Sequence, residues 1–501
     1  MKVFLSVSLI IAAGFAVYAN SIGGKFLWDD ELLISGNPAI KSWSNVPDVL
    51  KGRQAGAQGM VIYMYRPVQF LSYMADHSLW GLDARGYHVT GIMIHILVAL
   101  GIYWFAYLIS KNPLTAFLAG LLFAVNPLNT EAVSYISGRA DPLSALFIFL
   151  GMVFYVRSEE AGKKGYYYLM LLCWVSAVLS RESSLIFPLL LLAYHVSFGK
   201  KADWRYLSPL FIGVLLYAIV IPNGRNIYMS CPTSIAERLP GFFASITGYM
   251  RLLIAPAGLH MEYGNRLFAW SDPAVIFGIA VSVSLTAFAL VRRGAPGGRD
   301  GIFCFSVLWF FAALLPYSNV LPMNAYMAEH WLYLPLFGFV LITAKCFSAL
   351  ISGRFRRLSI AAAACVVLAI SAMTVAQNRY WEDPIRFYET TIRYSPGSHR
   401  LFYNLGIQYR NSSRLRDAID CYSKAIGLSP DNPSYYNNRA NAYAQEGEFE
   451  KAIADYTKAI ELDPAHINAY LNRATAYRES NQPEKAAKDL EKAESLSRPK
   501  K

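Results

Sequence analysis

Long apolar runs recur over residues 3–376, and they constrain the fold of this chain more than any other feature. A membrane-spanning helix needs about 20 mainly apolar residues, because a rise of about 1.5 Å per residue must cross about 30 Å of hydrocarbon. Beyond residue 376 the chain is polar and densely charged. We therefore expect an all-α protein with a polytopic membrane helical bundle over residues 1–376 and a water-soluble domain after it. Roughly eleven spans are expected, near residues 3–20, 90–109, 114–127, 140–156, 166–180, 184–198, 206–221, 274–291, 302–316, 331–350 and 358–376.

The first apolar run, residues 3–19, follows a single Lys2. A cleaved signal peptide is the alternative interpretation, but the small residues that cleavage needs are poorly placed. We expect the run to remain as the first membrane helix.

Basic residues indicate the orientation of the bundle. Cytoplasmic loops carry an excess of Lys and Arg, and with the amino terminus inside, each basic loop falls on the cytoplasmic side. The net charge of +12 therefore does not indicate nucleic-acid binding. Residues 240–256 could also span, but a twelfth crossing would move the later basic loops outside, so we expect an interfacial or re-entrant helix. Loop 20–90 and the C-terminal domain are then both extracytoplasmic. The basic loops hold Lys111; Arg157, Lys163 and Lys164; Lys200, Lys201 and Arg205; Arg292, Arg293 and Arg299; and Arg354, Arg356 and Arg357.

The six cysteines form no disulfide framework. Cys173, Cys304, Cys346 and Cys365 lie in apolar runs, where cysteine packs as a small hydrophobic residue. No Cys/His spacing of a metal site is present. A divalent cation is compatible with the sequence but not required by it.

The C-terminal domain repeats itself with a period of 34 residues, the length of a tetratricopeptide unit. Small residues at this spacing let paired helices approach, tyrosines fill the space between them, and a proline ends each second helix. We expect an α-solenoid over residues 384–501, with a half-repeat at 384–396 and units near 399–432, 433–466 and 467–499. The aligned residues include Gly406, Ala440 and Ala474; Tyr409, Tyr443 and Tyr477; and Pro396, Pro430 and Pro464.

Three consecutive acids, Asp29, Asp30 and Glu31, follow the first predicted helix. Like charges so close raise each other's pKa unless cations or hydrogen-bond donors compensate. One interpretation is a polar flank that ends the span. The other is a carboxylate base that faces a cavity at the membrane surface.

A second group of charged residues, Glu131, Arg139 and Asp141, follows the third predicted span. The planar arginine cation suits a phosphate, and the alternative is a structural Arg–Asp pair. A histidine within an apolar run, such as His95, is more often a hydrogen-bonded core residue than a catalyst. Further polar residues on the expected outer face are Arg66, His88, Arg181, Glu182, Glu329 and His330.

Several of these sequence motifs together resemble a known family, the transmembrane and tetratricopeptide-repeat O-mannosyltransferases. The resemblance covers residues 20–340 and continues through the repeats. It implies a GT-C glycosyltransferase, related to the protein O-mannosyltransferases, that takes a sugar from a polyprenyl-phosphate donor on the extracytoplasmic face. The motifs that carry it are Trp28-Asp29-Asp30, Tyr65-Arg66-Pro67, Gly86-Tyr87-His88, residues 126–141 and Ala328-Glu329-His330-Trp331-Leu332-Tyr333-Leu334-Pro335.

The resemblance also implies roles. Asp29 or Asp30 would be the base that takes the proton of the acceptor hydroxyl, and the sequence does not choose between them. Glu131 would support the acceptor or a bound cation. The departing phosphate needs cations, for which the candidates in order are Arg139, Arg66 and Arg181. The other implied substrate-binding residues are His88, Asp141, Glu182, Glu329 and His330.

The chain departs from the family pattern at two places. His330 stands where the family usually has arginine, and Arg181-Glu182-Ser183-Ser184 stands where it has Lys-Glu-x-Gly. A histidine is not a permanent cation at pH 7, so donor affinity or donor choice could differ.

Three asparagines, Asn404, Asn438 and Asn472, recur at the same position of each repeat. A side-chain amide can both donate to and accept from a peptide backbone, and the series resembles the asparagine ladder of the O-GlcNAc transferase repeats. The alternative is that these amides brace neighbouring helices.

The expected function is transfer of a hexose, with mannose favoured, to Ser/Thr hydroxyls of an extracytoplasmic protein. The expected partners are the lipid-linked sugar donor, an acceptor protein or peptide, and membrane lipids. Alternatives are a glycosyltransferase for a cell-envelope glycan or lipid, and a non-catalytic scaffold. A transporter is disfavoured, because the acids gather at the outer ends of helices rather than at mid-membrane depth. The expected location is a bacterial inner membrane with a periplasmic site, or the lumenal side of the endoplasmic reticulum membrane.

Overall fold

The computed structural model describes residues 3–52, 64–220, 233–264, 266–293 and 301–497. It divides into two compact units, Met1–Glu382 and Asp383–Lys501. All regular secondary structure in the described residues is helical, which confirms the predicted all-α class. The division at Glu382 falls between the two domains expected from the sequence.

The first unit is built from fifteen α-helices in its described part. Short 3-10 turns connect several of them, including Pro127–Asn129, Ile136–Arg139, Glu182–Ile186 and Glu329–Leu332. The helices are α1 Val3–Tyr18, α2 Val46–Leu50, α3 Pro67–Trp80, α4 Ala84–Ser110, α5 Pro113–Ala124, α6 Thr130–Ser134, α7 Ala140–Ala161, α8 Lys164–Ser180, α9 Phe187–Phe198, α10 Trp204–Val220, α11 Ile235–Ile254, α12 Pro273–Arg293, α13 Gly301–Leu314, α14 Leu336–Ile351 and α15 Arg356–Asn378.

Each of the eleven expected apolar runs coincides with a helix, but not every helix is long enough to span alone. Five helices in the described residues are long and apolar enough to cross a membrane. A bent pair, α5 followed by Pro127–Ser134, is either a sixth, broken span or a re-entrant loop. Four further apolar helices are shorter. The chain is therefore a membrane protein, and the total of eleven crossings stays a prediction. The five long helices are Val3–Ser21, Ala84–Ser110, Ile136–Ala161, Pro273–Arg293 and Arg356–Asn378.

Residues 240–256 lie mostly within α11, which is not among the helices that pass the spanning test. It starts with a reciprocal capping box between Ser234 and Glu237. One face is buried, and the Arg238 guanidinium donates to backbone carbonyls at Asn319 and Val320. An apolar face beside charged residues is typical of a helix that lies in the membrane interface. The interfacial or re-entrant placement of residues 240–256 stays a prediction.

Packing between the helices relies on small residues and aromatic rings. A Cβ at Gly278 would lie 1.9 Å from the carbonyl oxygen of Phe243, and one at Gly338 would lie 2.4 Å from that of Ser306. Glycine therefore sets the approach of α12 to α11 and of α14 to α13, as is common between membrane helices.

Asn378, the last residue of α15, connects three distant parts of the first unit. Its amide nitrogen donates to the Val17 carbonyl and to the Asn20 side-chain oxygen, both at 2.7 Å. Its own oxygen accepts from the Ser134 hydroxyl at 2.9 Å. The side chain is fully buried, so its hydrogen bonds hold the first helix, the broken segment and the last helix together.

In its described part, the second unit consists of one helix followed by three helix pairs. The repeat boundaries expected from the sequence stay a prediction. Gly406 is needed in the first pair because a Cβ there would lie 2.6 Å from the Tyr422 ring. The helices are α16 Pro384–Tyr394, α17 His399–Asn411, α18 Leu415–Leu428, α19 Pro433–Gln445, α20 Phe449–Leu462, α21 Ile467–Glu479 and α22 Pro483–Ser497.

An arginine–aspartate pair recurs with the repeat period. Arg439 binds Asp455 through two hydrogen bonds of 2.7 and 2.8 Å, and Arg473 binds Asp489 through two of 2.8 Å. Each arginine also donates to a hydroxyl on the preceding repeat, Ser423 or Thr457. Each arginine therefore connects the two helices of its own repeat to the second helix of the preceding repeat. The corresponding positions of the first repeat hold the buried, apolar Leu405 and Cys421.

Candidate functional site

Asp30 holds the loop after the first helix in place. One carboxylate oxygen accepts from the Leu27 N–H at 2.9 Å, and the other accepts from the Ser137 N–H at 2.8 Å and from the Ser137 hydroxyl. The residue is only 1% exposed. Burial raises the pKa of Asp30 to about 7, against the opposing effect of these hydrogen bonds. Both oxygens of Asp30 are therefore occupied by contacts within the protein.

Asp29, one residue earlier, stays partly exposed. Its N–H donates to the Tyr135 hydroxyl at 3.1 Å, and the Tyr135 ring stacks on Trp381 with the centroids 5.5 Å apart. The preceding residue, Trp28, has a φ of 48°, a conformation that bulky residues rarely adopt. Such backbone strain concentrates at functional sites. The two aspartates thus differ: Asp30 is a buried brace, and Asp29 is accessible beside a strained residue.

Residues 126–141 form a broken helical segment that carries several predicted site residues. Helix α5 stops before Pro127, whose ring cannot continue the helical hydrogen bonds, and the helices on either side are bent by 52°. Gly138 lets the segment fold against itself, because a Cβ there would lie 2.6 Å from the Glu131 carbonyl oxygen. The break turns polar side chains into the interior of the first unit.

Glu131 and His330 form one pair within this interior. One oxygen of Glu131 accepts from the His330 N–H at 2.8 Å, and the other lies 2.7 Å from His330 Nδ1. Glu131 is 1% exposed, whereas the His330 side chain is partly accessible. The carboxylate thus fixes the loop before α14 and leaves one side of the imidazole available to a ligand.

Glu329 is fully buried, and its two oxygens differ. Oε1 accepts from the Tyr263 hydroxyl at 2.7 Å and from the His260 N–H. Oε2 has no hydrogen-bond partner among the described residues. Burial and, secondly, the negative charge of Glu131 raise the pKa of Glu329 well above its usual range. Glu329 therefore holds a proton more readily than an exposed glutamate does.

Two further ion pairs lie at the same end of the bundle. Arg66 binds Glu182 through two hydrogen bonds of 2.9 and 2.6 Å, and this pair is partly exposed. Arg181 binds Asp141, and this pair is buried. The charges of Arg66, His330 and Glu131 act on Asp141. The predicted residues of this group thus come together, with each arginine already paired with a carboxylate.

Arg139 is buried within the protein. Its guanidinium forms an ion pair with Asp76 at 2.5 Å, and the two side chains are 1% and 3% exposed. It also donates to the Tyr87 carbonyl at 2.8 Å and lies over the Tyr73 ring, 4.9 Å from the centroid. These contacts favour the structural alternative for Arg139, with Asp76 as its partner in place of Asp141.

The two membrane histidines singled out from the sequence are both buried. His88 faces Gly24 so closely that a Cβ there would lie 2.8 Å from its Nε2. His95 lies 2.7 Å from the Tyr333 hydroxyl and 3.1 Å from the Ala124 carbonyl. It is a hydrogen-bonded core residue, as expected.

Within the described ranges, no group of three or more His, Cys, Asp or Glu side chains is placed to hold a metal ion. Several other polar residues contact the site residues, and the sequence did not indicate them. Their contacts join residues that are far apart in the chain, so no local spacing indicates them. They are Asp76, Tyr135, Ser137, His260 and Tyr263.

The repeat asparagines contact their neighbours within the second unit. Asn438 donates to the Tyr403 hydroxyl and accepts from Arg410 at 3.2 Å. Asn472 donates to Asn441 at 3.0 Å, and Asn404 lies half-buried on α17. These contacts favour the bracing interpretation for Asn438.

A cavity of about 760 Å³ opens between the repeats, and Asn472 contributes to its wall. Amides, charged groups and rings all line it, which suits a peptide with polar and aromatic side chains. Its lining includes Arg410, Asn441, Gln445, Phe449, Asn472 and Glu479.

Comparison with protein families identifies the second unit. Models described as tetratricopeptide repeats match residues 406–447, 433–466 and 455–488. This confirms the repeat domain expected from the 34-residue period.

Comparison with curated proteins finds relatives along most of the chain. It is 24% identical to a protein O-mannosyl-transferase of Caenorhabditis elegans over 82% of this chain and 61% of that protein. It is 22% identical to the protein O-mannosyl-transferase TMTC3 of Mus musculus over 83% of this chain and 50% of that protein. The chain is therefore similar over most of its length to protein O-mannosyl-transferases that carry tetratricopeptide repeats. A third relative, the protein O-mannosyl-transferase TMTC1 of Homo sapiens, is 33% identical over 32% of this chain and 18% of that protein.

The chain spans less than two thirds of the length of these relatives. Two solved structures are similar to a part of this chain. The crystal structure of MamA is 28% identical over 22% of this chain and 66% of that chain, with a TM-score of 0.22. The first tetratricopeptide domain of Spaghetti (RPAP3), solved with an HSP90 peptide, is 30% identical over 20% of this chain and 81% of that chain, with a TM-score of 0.20.

Proposed function

We propose that this chain transfers mannose from a polyprenyl-phosphate donor to Ser or Thr hydroxyls of proteins outside the cytoplasm. The names of its relatives support protein O-mannosylation, and the membrane helices suit a lipid-linked donor. The observation that carries the proposal is the contrast between Asp29 and Asp30. Asp29 is partly exposed, Asp30 beside it is buried, and the preceding residue, Trp28, has a positive φ. We assign the first unit to the GT-C class on the resemblance of its motifs.

In this reaction the acceptor oxygen attacks the anomeric carbon, and the bond from that carbon to the phosphate oxygen breaks. The phosphate leaves with the electron pair, and Asp29 takes the proton of the acceptor hydroxyl. A positioned base of this kind contributes about 10²–10⁴-fold. Asp30 is a positioning residue in this scheme, because its oxygens are bound to Leu27 and Ser137.

The polar cluster around Glu131 would receive the sugar and its phosphate. His330 is accessible and is oriented by Glu131, so it can contact a sugar hydroxyl. Arg66 and Arg181 are paired with Glu182 and Asp141 and can donate hydrogen bonds to phosphate oxygens. Their charges are largely offset by those carboxylates.

The repeats would present the acceptor protein. Peptide binding is supported by the tetratricopeptide matches and by the cavity between the repeats. The active site and the repeats are proposed to be extracytoplasmic, in a bacterial inner membrane or on the lumenal side of the endoplasmic reticulum.

The test is sugar transfer by the purified protein in lipid nanodiscs, with a panel of polyprenyl-phosphate sugars and a Ser/Thr-rich acceptor peptide. We expect turnover of the mannosyl donor and a loss of about 10²–10⁴-fold in Asp29→Asn. Glu31→Gln is the matched control, since Glu31 is a neighbouring exposed acid, and it should keep wild-type activity.

Two outcomes would contradict the proposal. Wild-type protein that binds the acceptor peptide but turns over no donor would favour the scaffold alternative. Full activity in Asp29→Asn with loss in Glu31→Gln would remove Asp29 as the base.

A further inference from the structure

Charge is distributed unevenly along the cavity between the repeats. Its walls come mainly from the first helices of the three repeats, α17, α19 and α21, and Phe449 and Tyr456 of α20 complete them. Among the described residues of this lining, Arg410 on α17 is the one cation and Glu479 on α21 is the one acid. The cavity is therefore positive at the first repeat and negative at the third.

The 34-residue period shows why space opens between these helices. Arg410, Ala444 and Arg478 occupy the same position of successive repeats. The small Ala444 stands at the middle one and lines the cavity. A methyl group fills much less volume than an arginine side chain, so Ala444 leaves room between the flanking helices. The space thus follows from the sequence at this position rather than from the repeat fold alone.

Arg410 keeps its charge available to a ligand. Its guanidinium donates to the Asn438 side-chain oxygen at 3.2 Å, and no carboxylate in the described part of the chain pairs with it. Arg439 and Arg473, by contrast, each bind an aspartate. A half-buried guanidinium such as that of Arg410 binds a carboxylate through charge-assisted hydrogen bonds, often two at once.

The amides of the lining are suited to a peptide backbone. The Asn441 side-chain oxygen accepts from the Tyr456 hydroxyl at 2.6 Å and from the Asn472 amide nitrogen at 3.0 Å, which fixes both amides. Within the described residues, no donor binds the side-chain oxygen of Asn472. This oxygen can therefore accept a hydrogen bond from a peptide N–H.

The second repeat supplies apolar surface between the two charged ends. Ala444 and Phe449 belong to this repeat, which lies between the helices that carry Arg410 and Glu479. An apolar or aromatic side chain that packs on Phe449 is removed from water. With about 10 Å between neighbouring helices, an extended peptide needs roughly six residues to reach from Arg410 to Glu479.

We propose that the cavity selects acceptor segments in which an acidic and a basic residue lie roughly six positions apart, with an apolar or aromatic residue between them. Arg410 binds the acidic side chain, Glu479 binds the basic one, and Phe449 packs against the residue between them. This inference rests on the proposed function, because it names the class of protein segment that the repeats present for mannosylation.

The experiment measures peptide binding and sugar transfer with the full-length protein in lipid nanodiscs. Fluorescence anisotropy gives the Kd of labelled, Ser/Thr-containing peptides with a central phenylalanine. Glutamate and lysine flank the phenylalanine in either order, or glutamine replaces both. These peptides are amidated at the C-terminus, and a neutral peptide with a free C-terminus tests whether a terminal carboxylate binds instead.

The variants separate charge from folding. Arg410→Gln removes the charge but can still donate to Asn438, and Arg410→Glu reverses the charge. Arg478→Gln is the matched control, because Arg478 holds the same repeat position but does not line the cavity.

We expect one order of the charged peptide to bind about ten- to hundredfold more tightly than the neutral peptide. Arg410→Gln should remove this preference and raise the KM for the charged peptide without lowering kcat. Arg410→Glu should prefer a peptide in which lysine replaces the glutamate, a gain that a misfolded protein cannot produce. Arg478→Gln should bind every peptide as the wild type does.

Equal affinity for the charged and neutral amidated peptides would overturn the inference, as would an unchanged preference in Arg410→Gln. Tighter binding of the peptide with a free C-terminus would also overturn it, because the cavity would then select chain ends. If the charged peptide binds through Arg410 but receives no sugar from any donor, the proposed activity fails while the docking site stands. If all peptides are mannosylated equally, the inference fails while the activity stands.

Discussion

At the scale of a single residue, the stability of the folded protein depends on the protonation of Asp30. The pKa of Asp30 is raised from 3.8 to about 7 in the folded protein. Between these two pH values the folded state therefore keeps a proton on Asp30 that the unfolded state has released. The stabilising contribution of the protonated acid is complete below about pH 4 and is lost as the pH rises through about 7. The difference is at most about 4 kcal/mol.

We therefore expect the thermal stability of the wild type to fall between pH 5 and pH 8 more steeply than that of Asp30→Asn. Asparagine keeps the shape of the side chain but does not titrate. Thermal unfolding in detergent across this pH range measures the difference. Parallel curves for the two proteins would show that Asp30 does not titrate in this range.

The sequence predicted which residues carry charge near the site but not how they pair. Asp29, Glu131 and Glu329 stand out because they follow apolar runs within motifs. The contact between Glu131 and His330 joins residues that are 199 positions apart, and no local spacing indicates it. The partner of Arg139 was missed for the same reason.

At the scale of helices, apolar runs predicted where the elements are but not all of their ends. Helix α4 was expected from residue 90 but begins at Ala84. The Asp83 side chain accepts from the Arg85 N–H at 3.1 Å, so a capping residue starts the helix before its apolar part. Helix α5 ends earlier than expected because Pro127 interrupts it. Capping and proline effects act over a few residues, below the resolution of a hydropathy pattern.

The repeated arginine pairs predict the effect of one substitution. Asp455→Ala should destabilise the second and third repeats by about 3–5 kcal/mol, because it leaves the largely buried Arg439 without its carboxylate. Hydrogen exchange of the full-length protein, followed by mass spectrometry, should show faster exchange in α19, α20 and α21.

Asp417→Ala is the matched control for that substitution. Asp417 pairs with Arg414 at an exposed position of the first repeat, where water and salt screen the attraction, so this pair contributes little to stability. Equal effects of Asp417→Ala and Asp455→Ala would mean that burial does not decide the strength of these pairs.

At the scale of the whole membrane unit, the bent pair of helices decides how the chain crosses the bilayer. If α5 and Pro127–Ser134 form a broken span, three crossings separate residue 31 from residue 163, and the two lie on opposite faces. If the pair is re-entrant, the two residues lie on the same face. The basic loops favour the broken span.

Cysteine labelling tests this topology in Glu31→Cys and Lys163→Cys, since both positions are exposed. A membrane-impermeant maleimide should label residue 31 in intact cells or sealed vesicles of known orientation. It should label residue 163 only after permeabilisation. Labelling of both without permeabilisation would indicate a re-entrant pair.

The buried amide of Asn378 has a consequence for biosynthesis. Ribosomes make the chain from its amino terminus, so Val17 and Ser134 enter the membrane long before α15 is translated. Until α15 is inserted, the Ser134 hydroxyl lacks its hydrogen bond to Asn378, and the broken segment is not yet connected to the last helix. The contacts that join the broken segment, which carries Glu131, to the first and last helices are therefore completed late in translation. A defect in the insertion of α15 would leave these contacts unformed, although every residue of the candidate site would be present.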